Sequence, residues 1–208
     1  MGRDITKCHP ELQQKCAQLI EKCTQKGLNI AVGECYRTVE EQNELYAQGR
    51  TKTGNIVTNA KGSDYSSHHQ WGTAFDFYRN DGKGAYNDSD GFFGKVGSVG
   101  KSLGLEWGGD WTSPVDKPHF QLPYWGSTTA ELKRLYGTPE EFKKTWEAEE
   151  MEKIYNWTLE VPKWARPTVQ KLLDKGYLKG NDKGELELTY PMLKLLVVND
   201  RAGLYDLK

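Results

Sequence analysis

Apolar residues near the start of the chain recur three and four positions apart. Leu12, Cys16, Leu19, Ile20 and Cys23 fall on one face of a helix predicted over residues 10–26, with Gly27 as its natural stop. The run from Leu28 to Val32 predicts a short buried strand. Thr38, with Glu41 three residues on, forms a capping box that opens a second helix reaching about Gln48. Residues 51–70 are rich in Gly, Ser and Asn and show no periodicity, which predicts a long functional loop. Thr73 to Arg79 then alternates as a strand, with Ala74 and Asp76 on one face. Phe92, Phe93, Val96, Val99 and Leu103 keep helical spacing, although three interspersed glycines weaken that helix.

Two further short strands are expected at Leu105 to Trp107 and at His119 to Leu122. Thr128 with Glu131 predicts another capped helix. A last one begins at Thr138-Pro139-Glu140-Glu141 and runs to about Trp157. That segment is so heavily charged that it is expected to be a solvated connector. Beyond it, Trp164 to Gly176 and Thr189 to Arg201 form two helical patterns around a turn at Gly180 to Gly184.

Composition narrows the function. With 37% hydrophobic and 27% charged residues among 208, the chain can bury a core. A net charge of -1 argues against a broad nucleic-acid surface, which needs a basic excess. No apolar run is long enough to cross a membrane, and the N-terminus lacks the apolar core of a signal peptide. Synthesis in the cytoplasm without insertion into a membrane is therefore expected. Cys8, Cys16, Cys23 and Cys35 contain no CxxC pair, and a cytosolic origin argues against a disulfide framework. Cys16 and Cys23, on the helical face, are expected to be small core hydrophobes.

Four histidines are present, and their positions differ in meaning. His69 ends the polar loop, Asp76 lies on the strand after it, and His119 opens a later strand behind Asp116-Lys117-Pro118. Two imidazoles and one carboxylate leave a fourth zinc position open to water, as in catalytic sites. A further carboxylate is then needed to carry a proton, and Asp116 is placed for it.

The context sharpens this. Ser67-His68-His69-Gln70-Trp71-Gly72-Thr73-Ala74-Phe75-Asp76 matches SxHxxGxAxD, with Tyr36-Arg37 upstream and Glu106-Trp107-Gly108-Gly109-Asp110-Trp111 and Asp116-Lys117-Pro118-His119 downstream. Residues 8–136 thus resemble the zinc peptidases of the vancomycin-resistance type. These comprise D-alanyl-D-alanine peptidases and the L-alanyl-D-glutamate endopeptidases of phage endolysins. Glu34-Cys35 stands where the family usually has a small Ser-Gly pair. The resemblance implies one zinc per chain held by His69, Asp76 and His119, and Asp116 as the catalytic carboxylate. It also implies that Arg37 stabilises the oxyanion and that Ser67 helps hold substrate or the site itself.

Other assignments stay open on the residues alone. His68 is a weaker ligand than His69 on spacing, Glu106 is an alternative base, and Arg37 is alternatively a surface ion-pair partner. Trp107, Trp111, Tyr124 and Trp125 suit a substrate groove or a core equally well.

The elements and the resemblance together imply an α+β fold. A small antiparallel sheet would carry helices on one face and zinc at its open edge, followed by a small, mainly helical C-terminal domain. The expected boundaries are 1–137 for the zinc peptidase, 138–158 for the connector and 159–208 for the tail. The tail resembles the small wall-binding modules of endolysins, and its plainer reading is a stabilising or oligomerising hairpin. Met151, behind the Glu-rich 147–150, is a candidate internal translation start. The implied function is hydrolysis of the L-alanyl-D-glutamate bond of the peptidoglycan stem peptide by a phage endolysin that lyses the cell wall. Peptidoglycan and a wall polymer would be the partners. The rivals are a D-alanyl-D-alanine carboxypeptidase on the same site and a non-catalytic, zinc-containing wall-binding protein.

Overall fold

A computed structural model describes residues 2–206, apart from the side chains of 147–151, so the candidate start at Met151 lies outside the described residues. It divides into two units, Met1–Lys143 and Lys144–Lys208.

In the first unit, α1 (Pro10–Gln25) has proline in its first turn and turns Leu12, Cys16, Leu19 and Cys23 inward. All four cysteines are buried and free, as core hydrophobes should be. After β1 (Ile30–Val32), α2 (Val39–Ala47) carries both halves of the Thr38–Glu41 capping box. The long loop leads to β2 (Ala74–Arg79). Two of the three glycines of α3 (Phe92–Ser102) sit where that helix meets the sheet: a side chain on Gly97 would strike the Trp107 ring, and one on Gly100 the Phe120 ring. They cost helix propensity, and close packing offsets it. β3 (Glu106–Trp107) and β4 (His119–Gln121) complete an antiparallel sheet of order β1-β2-β4-β3.

The sheet separates core from site by alternation alone. Phe75 and Phe77 on β2 meet Phe120 on β4 and join α1 and α3 in the core. Asp76, His119 and Gln121, the alternate positions, face the other way, and Asp76 sits directly opposite His119 in the register.

Several sequence expectations are corrected. α4 (Ala130–Tyr136) is entered from Thr129, not Thr128, and has no side-chain cap. α5 (Pro139–Glu152) ends before Trp157, because β5 (Ile154–Tyr155) pairs with β6 (Leu188–Thr189) in an antiparallel ribbon. Nor is α5 wholly solvated. Phe142 on its first turns is buried against His9, Trp71, Trp125 and Tyr136.

The second unit combines that ribbon with α6 (Arg166–Asp174) and α7 (Tyr190–Arg201). Its own core includes Tyr155, Val161, Val169, Leu188, Leu193 and Val197. Lys171 on α6 pairs with Asp200 at 2.7 Å and Asp206 at 2.8 Å. Among the described residues, no helix is long and apolar enough to cross a membrane.

Candidate active site

Three segments meet on the sheet face opposite α1 and α3. β2 supplies Asp76, β4 supplies His119, and the turn ending the long loop supplies His69. Their nearest nitrogen and oxygen atoms lie within 4.8 Å of one another. His69 Nε2 is 3.4 Å and His119 Nδ1 3.1 Å from the same Asp76 oxygen, Oδ1. The cluster stands over β2 and β4, which are the two central strands, so the expectation of a site at the open sheet edge is corrected. The reason is register: Asp76 and His119 are cross-strand partners.

The outer nitrogen of each imidazole is held by an acceptor. His69 Nδ1 donates to the Cys35 carbonyl at 2.7 Å, and the Arg37 amide returns a bond to the His69 carbonyl at 3.1 Å. His119 Nε2 faces Gln121 Oε1 at 3.1 Å. With protons on those outer atoms, His69 Nε2 and His119 Nδ1 are the inner nitrogens that would ligate a metal ion beside Asp76. That is the ligand arrangement of a histidine–carboxylate metal site with a supporting outer shell. Two imidazoles and one carboxylate at this spacing fit zinc.

Electrostatics follow from crowding. Burial pushes the Asp76 carboxyl up, but His69 and His119 outweigh it and hold Asp76 well below the usual carboxylate range. Burial works to lower His119, yet the hydrogen bond and charge of Asp76, with help from Asp116, leave it raised. His68 is pushed down to about 3 by burial and by the two neighbouring imidazoles. Its Nδ1 pairs with Thr73 Oγ1 at 2.9 Å, so it belongs to the loop and not to the ligand trio.

Asp116 is partly buried beside this cluster. Burial raises its carboxyl above the ordinary value, and His119, His69 and Arg37 only partly restrain it. The Asp116 amide donates to the Gly108 carbonyl at 2.9 Å, and its own carbonyl accepts from the His119 amide at 3.2 Å. A tight turn, then, joins two residues that a plain strand would point apart. With Tyr86, Phe93, Val115 and Lys117, Asp116 also lines an open cleft of about 350 Å³.

Arg37 is buried and turned inward, not a surface ion-pair partner. Glu34 grips it as a fork, through Nε at 2.8 Å and through a very short bond to Nη2, and Gln42 accepts from Nη1 at 2.6 Å. Gln42 in turn donates to the Ala60 carbonyl at 2.7 Å, tying the long loop to the guanidinium. Three of five N–H donors are thereby committed and two remain. Ser67 is half-buried and begins the His69 turn, its carbonyl accepting from the Gln70 amide. The group that orients His69 is the Cys35 carbonyl and not the Ser67 hydroxyl.

The aromatic residues divide. Trp107 is core and Trp125 packs against it, while Tyr124 is exposed and bonded to Glu11. Trp111 packs on the His119 ring, with centroids 5.0 Å apart. Glu34, Gln42 and Gln121 are site residues that spacing alone did not reveal. Their only signal was proximity in sequence to Arg37 and His119.

Residues 61–122 match the D-alanyl-D-alanine carboxypeptidase family of peptidases, and the chain belongs to this family. It is 39% identical over 124 residues to the peptidoglycan L-alanyl-D-glutamate endopeptidase CwlK of Bacillus subtilis, spanning 55% of this chain and 72% of that one. It is 32% identical over 130 residues to an L-alanyl-D-glutamate peptidase of a Listeria phage, spanning 61% of this chain and 42% of the relative. The crystal structure of the Serratia marcescens L-Ala D-Glu endopeptidase ChiX aligns with a TM-score of 0.43 at 20% identity, over 57% of this chain and 82% of that one.

Proposed function

We propose that the chain is a zinc-dependent peptidoglycan endopeptidase that cleaves the L-alanyl-D-glutamate bond of the stem peptide. The observation that carries this reading is the convergence of His69, Asp76 and His119 beside the partly buried Asp116. The names of the two curated relatives supply the bond.

His69 Nε2, Asp76 Oδ1 and His119 Nδ1 would hold one zinc ion, which when bound supplies a Lewis acid and acidifies water. Asp116 accepts the proton of the attacking water and passes it to the departing amine. Its raised affinity for protons suits both transfers. Arg37, held rigidly by Glu34 and Gln42, offers its remaining N–H groups to the oxyanion that forms at the scissile carbonyl. Ser67, at the rim, contacts substrate. An enzyme that cuts within a chain needs an open groove beside Asp116, whereas one that trims a terminus needs a closed pocket.

We assign catalysis to the first unit and wall attachment to the second, whose core is its own. On this reading the protein is a phage endolysin and acts bacteriolytically on the wall.

Mass spectrometry of fragments released from purified walls is the test. New L-alanine carboxyl ends and free D-glutamate amines are expected, lost in chelator and restored by zinc. Release of D-alanine alone would make the chain a carboxypeptidase, and full activity in the zinc-free protein would remove the metal from the mechanism. Residues 144–208 alone should sediment with walls without cutting them; if they stay in solution, the tail is an oligomerising or stabilising element.

A further inference from the structure

We propose that Glu106 is a positioning residue for the metal centre. Acting through Gln121, it fixes which nitrogen of His119 faces Asp76. The inference rests on the reading of His119 as a metal ligand.

The argument runs through donors and acceptors. A carboxylate only accepts. Glu106 Oε1 takes the Trp111 indole N–H at 2.8 Å, and Oε2 takes an N–H of the Gln121 amide at 3.1 Å. The other N–H of that amide points to the Gly126 carbonyl at 3.4 Å. Gln121 is completely buried, so no water relieves a wrong orientation. With its NH2 group committed to two acceptors, its Oε1 must face His119 Nε2, at 3.1 Å. That nitrogen then carries a proton, and Nδ1 is left on the Asp76 side, 3.1 Å from Oδ1, as the atom that would ligate a metal ion there. Turning the amide over would place its oxygen against the Glu106 carboxylate and the Gly126 carbonyl, acceptor against acceptors.

Strand register builds the relay. Gln121 on β4 pairs with Glu106 on β3 on one side, while His119, two residues earlier on the same face, pairs with Asp76 on β2. Trp111 closes it, donating to Glu106 while its ring covers the His119 imidazole. Both Glu106 oxygens are engaged in this role, which leaves proton transfer to Asp116.

The variant Glu106→Gln tests the relay in the full chain. The two donors, the Trp111 indole and the Gln121 NH2, are aimed at different oxygens of Glu106. A glutamine puts an NH2 in place of one of them, so one donor meets a donor and Gln121 is free to turn over. Zinc affinity, measured by competition with a chromophoric chelator, is expected to weaken by roughly tenfold to a hundredfold, the scale of outer-shell changes. In the metal-free protein, NMR should show the His119 Nε2 proton, buried against Gln121 Oε1, losing its protection from solvent exchange. Adding Gln121→Glu gives His119 an acceptor again, with the amide at 106 as its donor, and should recover part of both readouts, short of the full value because an oxygen then faces the Gly126 carbonyl. Unchanged affinity and unchanged Nε2-proton protection in Glu106→Gln would overturn the proposal, as would a double variant that recovers neither. Should the unaltered chain bind no zinc, the functional reading fails, while protection of the His119 Nε2 proton still decides the relay.

Discussion

Arg37 shows how much a single side chain depends on what grips it. The fork to Glu34 and the bond to Gln42 use the planar guanidinium in a way that an ammonium cannot copy. Arg37→Lys is therefore expected to lower kcat about a hundredfold, the scale of a lost oxyanion donor, with zinc content unchanged; steady-state kinetics and metal analysis check both. Asp116→Asn should likewise keep zinc and lose roughly a hundredfold or more in turnover. Release of the metal by that variant would make Asp116 a ligand instead of a base. At this scale His69, Asp76, His119 and Asp116 were legible in the sequence, because a compact motif and a DxxH pair fix their spacing. Glu34, Gln42 and Gln121 were not, because an amide or carboxylate acquires its role only when loop closure and strand register bring a partner to it.

Among the elements, α1, α2 and β2 were legible to within a residue or two from periodicity and caps. The β5–β6 ribbon was not, since strands of two residues are too short for any period to show. Closeness of approach is also invisible in sequence, and Gly108 is the telling case. A Cβ there would lie 2.5 Å from the Asp116 carbonyl oxygen and 3.1 Å from the His119 Cβ. Gly108→Ala is expected to push the 108–116 turn off the site, with activity falling far more than stability. Overpacking of this kind typically costs about 1–3 kcal/mol, so a modest drop in melting temperature alongside a large loss of kcat/KM is the result to look for.

For the molecule as a whole, acid sensitivity has a traceable source away from the site. The buried Arg79 side chain binds Asp81 and Asp90 together, fastening the loop after β2. Its hydrogen bonds hold the Asp81 carboxyl at about 2, below the ordinary 3.8. A lowered carboxyl contributes stability above its unfolded value and loses it as pH falls towards the folded one. The melting-temperature difference between the unaltered chain and Asp81→Asn should therefore be full above about pH 4 and vanish towards about pH 2. Thermal melts of both proteins across that interval check it, and a constant difference would place the contribution elsewhere.

The two imidazoles of the centre are oriented by different kinds of group. A main-chain carbonyl, that of Cys35, orients His69, whereas His119 answers to the side chains of Gln121, Glu106 and Trp111. No point substitution deletes a carbonyl, so the geometry at His69 is inherited with the backbone and is blind to most codon changes. The geometry at His119 is written in three separately mutable codons. Metal affinity can thus drift or be engineered from one side of the centre only, with the other side serving as its fixed reference.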